Sequence, residues 1–230
     1  MNNFPFFSVV IPTYNRENII KKAIDSVLSQ SFQDFEIIII DNGSTDNTKQ
    51  FIKSYSHAKI NYFCQIGSGS PASPRNAGIR NSLAPWVCFL DSDDYWLPNK
   101  LEVLNQAIKA NKEADVFYHY EIMLNQNTGK ETVLSHHRRL DNMYKDMLEN
   151  GNQLSTSATT IRKSFLNDHQ LFFNENHDFD IVEDYDLWLR IAIRYPFKFL
   201  SDKLIVKRGG HEDQLSRKYW GMDRWRVYAL

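Results

Sequence analysis

Asp91, Asp93 and Asp94 stand side by side in Trp86–Trp96, WVCFLDSDDYW, where the apolar run Trp86–Leu90 stops abruptly. Carboxylates this close repel one another unless something positive sits among them. The candidates are a divalent cation, Lys or Arg partners, or solvent around an acidic turn that caps a helix at Pro98. Hard carboxylate oxygens suit Mg²⁺ or Mn²⁺, which bind through one or two carboxylates plus a substrate's phosphates. Asp41 ends another apolar run, FEIIII, and could either accept the imide N–H of a pyrimidine or cap the next helix. Thr13-Tyr14-Asn15-Arg16 follow a third run, FSVVIP, and there Tyr14 could stack on a base or close the core. Arg75 follows the loop GSGSPASP, and its planar fork suits ribose or diphosphate, the alternative being a surface Arg at a helix start. Glu183, Asp184 and Asp186 open a helical pattern, where acids can serve chemistry or simply favour the positive end of the helix dipole. His211, in GGHEDQLS, could complete a metal's coordination or lie in solvent; Gln214, Ser216 and Arg217 would then reach a diphosphate.

The elements that must position these groups follow from hydrophobic periodicity. Strands are expected at Phe7–Pro12, Phe35–Ile40, Lys59–Cys64 and Trp86–Leu90. Helices fit Asn18–Gln30, about Thr45 to Tyr55 behind the turn Asn42-Gly43-Ser44, Arg75–Ser82, and Pro98 to about Lys109. Alternation of strand and helix predicts an α/β fold with a mostly parallel sheet, and runs apolar on both faces predict helices on both sides. Ligands bind at the carboxyl ends of such strands, so three polar strand ends would share one crevice. The pattern changes after about Ala110. A hairpin is expected from Asp115–Glu121 through the turn Asn125–Gly129 to Glu131–Leu134. A helix Asp141–Gly151, a strand edge lining a groove at Ser155–Ile161, a helix Ile181–Tyr195 and short strands Phe197–Leu200 and Leu204–Val206 follow. Lys218–Leu230 reads as an aromatic, basic helix whose Trp220, Trp225 and Tyr228 suit a core, a dimer face or a membrane surface.

The totals exclude several classes. At 230 residues the chain can bury one sizeable core, and 27 basic against 28 acidic residues predict no nucleic-acid partner. Cys64 and Cys88 both lie among apolar neighbours, so neither a disulfide nor a zinc site is expected. MNNFPFF lacks the basic start of a signal peptide, and no window reaches a membrane-spanning length. A cytoplasmic protein is expected, with peripheral attachment to the inner face of a membrane left open. The basic patch SHHRRL, 135–140, reads as a solvated face or an attractor of an anionic acceptor. GSGSPASPRNAG fails as a dinucleotide fingerprint, and no GxxxxGK phosphate loop occurs.

SVVIPTYNR, IIIIDNGSTDNT, PRNAGI, FLDSDD and EDYDLWLR occur in that order between Ser8 and Arg190. As an ordered set they resemble the family 2 glycosyltransferases of GT-A fold, the inverting, nucleotide-sugar-dependent type of many bacteria. The resemblance implies a nucleotide-sugar-binding half, 1–110, and a smaller mixed or antiparallel acceptor-binding half, 111–230, within one domain. It implies that Pro12, Thr13, Tyr14, Arg16, Asp41, Arg75, Asp91 and Ser92 hold the nucleotide, with Asp41 on the base and Asp91 toward the ribose. Asp93, with His211, would hold Mn²⁺ or Mg²⁺. Asp184 would be the catalytic base, and Glu183, Asp94 and Trp188 would contact donor or acceptor. A processive synthase is not expected, because Arg224-Trp225 has Gly221 where such enzymes carry Gln.

The chemistry this predicts is transfer of a sugar from a nucleoside diphosphate, UDP foremost and dTDP second, to a hydroxyl of a glycan or lipid-linked acceptor. A divalent ion would stabilise the departing diphosphate and a carboxylate would take the acceptor's proton, one base sufficing for inversion. Two rival readings are a nucleotidyltransferase that makes a nucleotide-sugar, and a non-catalytic nucleotide-binding module. Oligomeric state is not legible.

Overall fold

Runs that are apolar at nearly every position, not alternately, form strands whose two faces are both covered. β1 (Phe7–Thr13), β2 (Phe35–Asp41) and β4 (Trp86–Phe89) are buried along their whole lengths. The computed structural model describes residues 4–134, 142–209 and 226–227. In it β3 (Ile60–Cys64), β2, β1 and β4 lie side by side and parallel. Val9, Ile11 and Cys88 face α1 (Ile20–Leu28), α2 (Thr48–Ser54) and α4 (Lys100–Ala110). Val10, Val87 and Phe89 face the opposite layer, which contains α3 (Ala72–Asn81), α5 (Met143–Asn150), α6 (Lys163–Asp168) and α7 (Glu183–Ala192). On that face α3 approaches β1 so closely that a Cβ on Gly78 would lie 2.2 Å from Val10 Cγ1.

Beyond β4 the sheet turns mixed. β8 (Thr159–Arg162) runs antiparallel to both β4 and β6 (Val116–Asn125), and β9 (Lys198–Gly209) runs parallel to β6. β5 (Tyr95–Trp96) closes the far edge against β9, and β7 (Glu131–Val133) forms the expected hairpin with β6. The carboxyl ends of β2, β1 and β4 therefore share one edge. At about 4.8 Å per strand, Asp41 and Asp91 stand two spacings apart, roughly 10 Å.

Several expected boundaries move. α3 begins at Ala72, inside the expected GSGSPASP loop, because Pro74 falls in the first turn, where its missing N–H costs no bond. The helix after β2 begins at Thr48, since residues 42–47 form a loop bonded to other loops. Ser155–Ile161 is not a sheet edge: a 3-10 turn, Thr156–Ala158, leads into β8, which has a neighbour on each side. The two short strands expected after Phe197 are the single strand β9, whose register against β6 shifts near Tyr120. Cys64 is exposed, not buried, whereas Cys88 is buried. Residues 135–140 and, apart from 226–227, the aromatic C-terminal stretch lie outside the described residues. No helix among the described residues is long and apolar enough to cross a membrane.

Candidate active site

The corner expected to hold the nucleoside is built from loops that hold one another. Asn15 takes a left-handed backbone, φ 52°, which asparagine tolerates better than most residues. Its side-chain oxygen accepts the Thr45 N–H at 2.8 Å, and its own N–H donates to Ser44 Oγ at 2.9 Å. The Arg16 N–H donates to Thr48 Oγ1 at 2.8 Å. Thus the loop after β1 is laced to the loop after β2. Asp41 closes the turn by accepting the Ser44 N–H at 2.8 Å, and its other oxygen accepts the Tyr62 hydroxyl at 2.6 Å. It does not cap α2, whose N-cap position is Asn47. Burial and the Asp41 carboxylate push the Tyr62 phenol well above its usual range, so it stays a donor. Pro12 and Thr13 are buried at the end of β1, and Thr13 Oγ1 lacks a hydrogen-bond partner among the described residues. Tyr14 is 54 % exposed, with its ring available for stacking.

The acidic corner depends on side chains from distant parts of the chain. The turn at Asp91–Asp94 closes by Asp94 N–H donating to the Asp91 carbonyl at 3.0 Å. The Asp91 N–H donates to Ser157 Oγ at 3.0 Å, which fixes the turn to the 3-10 turn before β8. Ser92 is buried, and Asp93 is half-buried in the same turn. Asp94, expected at the substrate, is only 2 % exposed and accepts the Arg208 N–H at 3.1 Å, with Lys207 Nζ 4.0 Å from its other oxygen. It staples the turn to β9.

Arg75 carries the bridge. Its Nη2 donates to Asp91 Oδ1 at 2.8 Å and its Nη1 donates to Glu183 Oε1, so one guanidinium joins the tip of β4 to the start of α7. Asp184 lies within reach of the same charge, accepting the Asn152 side-chain amide at 3.0 Å. Three carboxylates thus share one guanidinium. Burial pushes all three upward, but at Asp91 the charges of Arg75 and Lys207 and the hydrogen bonds from Arg75 and Ser157 together outweigh it, so that carboxyl is held below the usual carboxylate range. Glu183 rises to about 8 and Asp184 also rises, opposed by Arg75 and by the Tyr185 N–H. A carboxylate raised toward neutrality is a stronger base once ionised. Asp186, the third acid of α7, turns away to pair with Arg190 at 2.7 Å.

Trp188, expected at the donor or acceptor, is a core residue instead: it has no exposed surface and packs edge-on against Phe173. Helical period alone would put Trp188 one turn beyond Asp184 on the same face, but α7 is buried at most of its positions and the indole packs into the core. His211 lies outside the described residues. Asn152, Ser155, Ser157, Lys207 and the fully buried Lys100 had no place in the expected set. Lys100 donates to the Ser157 carbonyl at 2.7 Å beneath the acidic turn, and burial lowers its pKa to about 7. The Ser/Thr-rich composition of Ser155–Ile161 hinted at the two serines alone.

Among the described residues no three His, Cys, Asp or Glu side chains are gathered into a protein-only metal cage. A Mg²⁺ or Mn²⁺ that takes most of its oxygens from substrate phosphates needs fewer. One tight turn carrying Asp91 and Asp93, beside the buried Asp94 Oδ2 that has no hydrogen-bond partner among the described residues, fits such a donor set.

Known proteins share this arrangement at the level of fold. A structure from Staphylococcus aureus, TarS 1-349 in complex with UDP-GlcNAc, superposes with a TM-score of 0.77 over 96 % of this chain and 63 % of that one, at 23 % identity. WfgD of Escherichia coli, a UDP-Glc:alpha-D-GlcNAc-diphosphoundecaprenol beta-1,3-glucosyltransferase, is 28 % identical over 80 % of this chain and 68 % of its own. An uncharacterized glycosyltransferase of Rickettsia felis is 29 % identical over 93 % of this chain, which spans only 36 % of that relative's length. A profile described as Glycosyl transferase family 2 matches residues 8–169. Glu183 and Asp184 lie past that span, but Arg75, within it, ties them to its acidic turn. Because the match runs through well over half of the chain and takes in both strand-tip corners, the protein belongs to glycosyl transferase family 2.

Proposed function

We propose that the protein transfers a sugar from a nucleoside diphosphate, a UDP-sugar, to a hydroxyl of a glycan or lipid-linked acceptor by single displacement with inversion. The observation that carries the reading is the Arg75 bridge. It draws the leaving-group corner at Asp91 and the acid pair at Glu183-Asp184 to one guanidinium, as a displacement across a sugar carbon requires. The names of TarS bound to UDP-GlcNAc and of WfgD with its diphosphate-linked acceptor support the donor and acceptor classes.

In this reading Thr13, Tyr14, Arg16 and Asp41 hold the nucleoside, Asp91 and Ser92 face the ribose, and Asp93 holds Mn²⁺ or Mg²⁺. The metal, when bound, neutralises charge on the departing diphosphate. Asp184 accepts the acceptor's proton, while the Asn152 amide orients its carboxylate. The buried Arg75 stays protonated and keeps Asp91 ionised. A protein of this kind works where nucleotide-sugars are made, in the cytoplasm or at the inner face of a membrane.

Asp184→Asn tests the assignment. Transfer should fall by about 10²–10⁴-fold while the UDP dissociation constant stays within about twofold. Measuring both by radiolabelled sugar transfer and calorimetry decides it: joint loss would take Asp184 out of the base role. A thermal-shift screen of nucleotide-sugars with and without Mn²⁺ tests the donor, because ligands that bind the folded state raise its melting temperature. A lack of stabilisation by any UDP derivative would overturn it.

A further inference from the structure

A cavity of about 350 Å³ opens between the start of α1 and the end of β9, lined by Asn18, Ile19, Lys21, Lys22, Asp25 and Arg208. It holds three cations and one acid. That acid is already engaged on both oxygens: Asp25 Oδ2 pairs with Lys21, and Oδ1 accepts the Tyr55 hydroxyl at 2.9 Å. Lys22 and Arg208 face the same space, and among the described residues neither forms an ion pair. Each is instead held by a neutral group. Lys22 Nζ sits 3.5 Å from the centre of the Tyr95 ring, and Arg208 Nη2 donates to Gln126 Oε1 at 3.3 Å. Their mutual effect is visible in Lys22, whose ammonium is pushed below its usual range by burial and by Arg208.

Nearby, Arg75 is matched by Asp91 and Glu183, Lys207 by Asp94 and Arg190 by Asp186, while the buried Lys100 is held by the Ser157 carbonyl. Two like charges placed at one cavity without a counter-charge cost free energy unless an anion joins them. An ammonium and a guanidinium together suit phosphate oxygens, the ammonium as a point charge and the guanidinium as a fork. The cavity also communicates with the acidic corner. Arg208 gives its backbone N–H to Asp94, and Tyr95, which holds Lys22, is the next residue of the turn.

We propose that this cavity is a binding site for a phosphate or diphosphate group, separate from the nucleotide corner, with Lys22 and Arg208 as its ligands. The phosphate comes either from free solution or from a second substrate that carries one. The inference does not depend on the donor, because its probes are simple phosphates.

The test is calorimetric titration of the full chain with inorganic pyrophosphate, run alone and again in saturating UDP. Binding should persist in UDP and weaken about tenfold in Lys22→Gln/Arg208→Gln, with smaller losses in each single variant. Lys53→Gln, an exposed change on α2, should bind like the wild type. Both cationic side chains reach solvent and the Arg208 bond to Asp94 is made by its backbone, so the variants should melt with the wild type. Equal affinity for orthophosphate and a sugar 1-phosphate assigns the site to free phosphate. Tighter binding of the sugar 1-phosphate, lost in the double variant, assigns it to a substrate. Pyrophosphate that fails to bind, is displaced by UDP, or binds the double variant unchanged would overturn the proposal. Should UDP itself fail to bind, the donor reading falls while the pyrophosphate result stands.

Discussion

The two corners of the site reach the same edge of the sheet by different means. At the corner of β1 and β2, proposed to hold the nucleoside, Thr13 and Asp41 are the last residues of neighbouring parallel strands, paired in register, and their loops are joined largely by backbone N–H groups. At the acidic corner only Asp91 comes from a strand tip. Glu183 and Asp184 arrive from a helix nearly a hundred residues later, and what joins them is a single buried side chain. Main-chain lacing spreads its stability over many small terms, whereas a buried ion bridge concentrates it in one. The acidic corner is therefore the more fragile, and the more open to tuning by pH.

The sharpest way to break this contrast is Arg75→Met. It leaves buried carboxylates uncompensated and should cost about 3–5 kcal/mol, read as a lowered midpoint in urea. Adding Glu183→Gln should return part of that loss, and Arg75→Lys should rescue poorly because a lone ammonium cannot span both acids. A cost no larger than that of a surface substitution would mean the bridge is incidental.

Glu183→Gln alone sharpens the pH side. The carboxyl rises from its ordinary value to about 8 in the folded protein, so between those values the folded state binds more protons than the unfolded one. Its contribution to stability is full below the unfolded value and is lost as pH rises through about 8. Denaturant midpoints should thus fall over that range in the wild type and fall less in Glu183→Gln.

In the parallel half the comparable weak point is packing. Gly78→Ala gains up to about 1 kcal/mol of helix propensity, but its Cβ would collide with the Val10 side chain. Overpacking of a close-packed interior costs about 1–3 kcal/mol, so the net change should be destabilising by thermal melt while pH dependence is unaltered. The smallest effect is expected for Asn152→Ala. Removing a donor from the ionised Asp184 raises its pKa, so the acid limb of the transfer-against-pH profile should move upward by up to about one unit, with KM little changed.

How much of this was legible in the sequence follows the same division. FSVVIP, FEIIII and WVCFL announce strands covered on both faces, and strands of that kind present their ends at one edge. Asp41 and Asp91 could be placed on that reasoning, and the ordered motifs supplied the family. Trp188 could not be placed, because a tryptophan next to paired acids looks the same whether its ring faces a substrate or a core. Nor could Asp94, since a third acid in a turn gives no hint that the Arg208 backbone waits for it. Lys207 and Asn152 carry no local signal at all.

Local pattern, then, determined the alternation of strand and helix, the edge on which the polar strand ends gather and the family, because burial periodicity and strand polarity act between near neighbours in the chain. The tertiary structure alone decided which charges meet. Arg75 lies 108 residues from Glu183 and Asp94 lies 114 from Arg208. No spacing rule reaches so far, and such pairs form only when the helices and strands that carry them pack against one another.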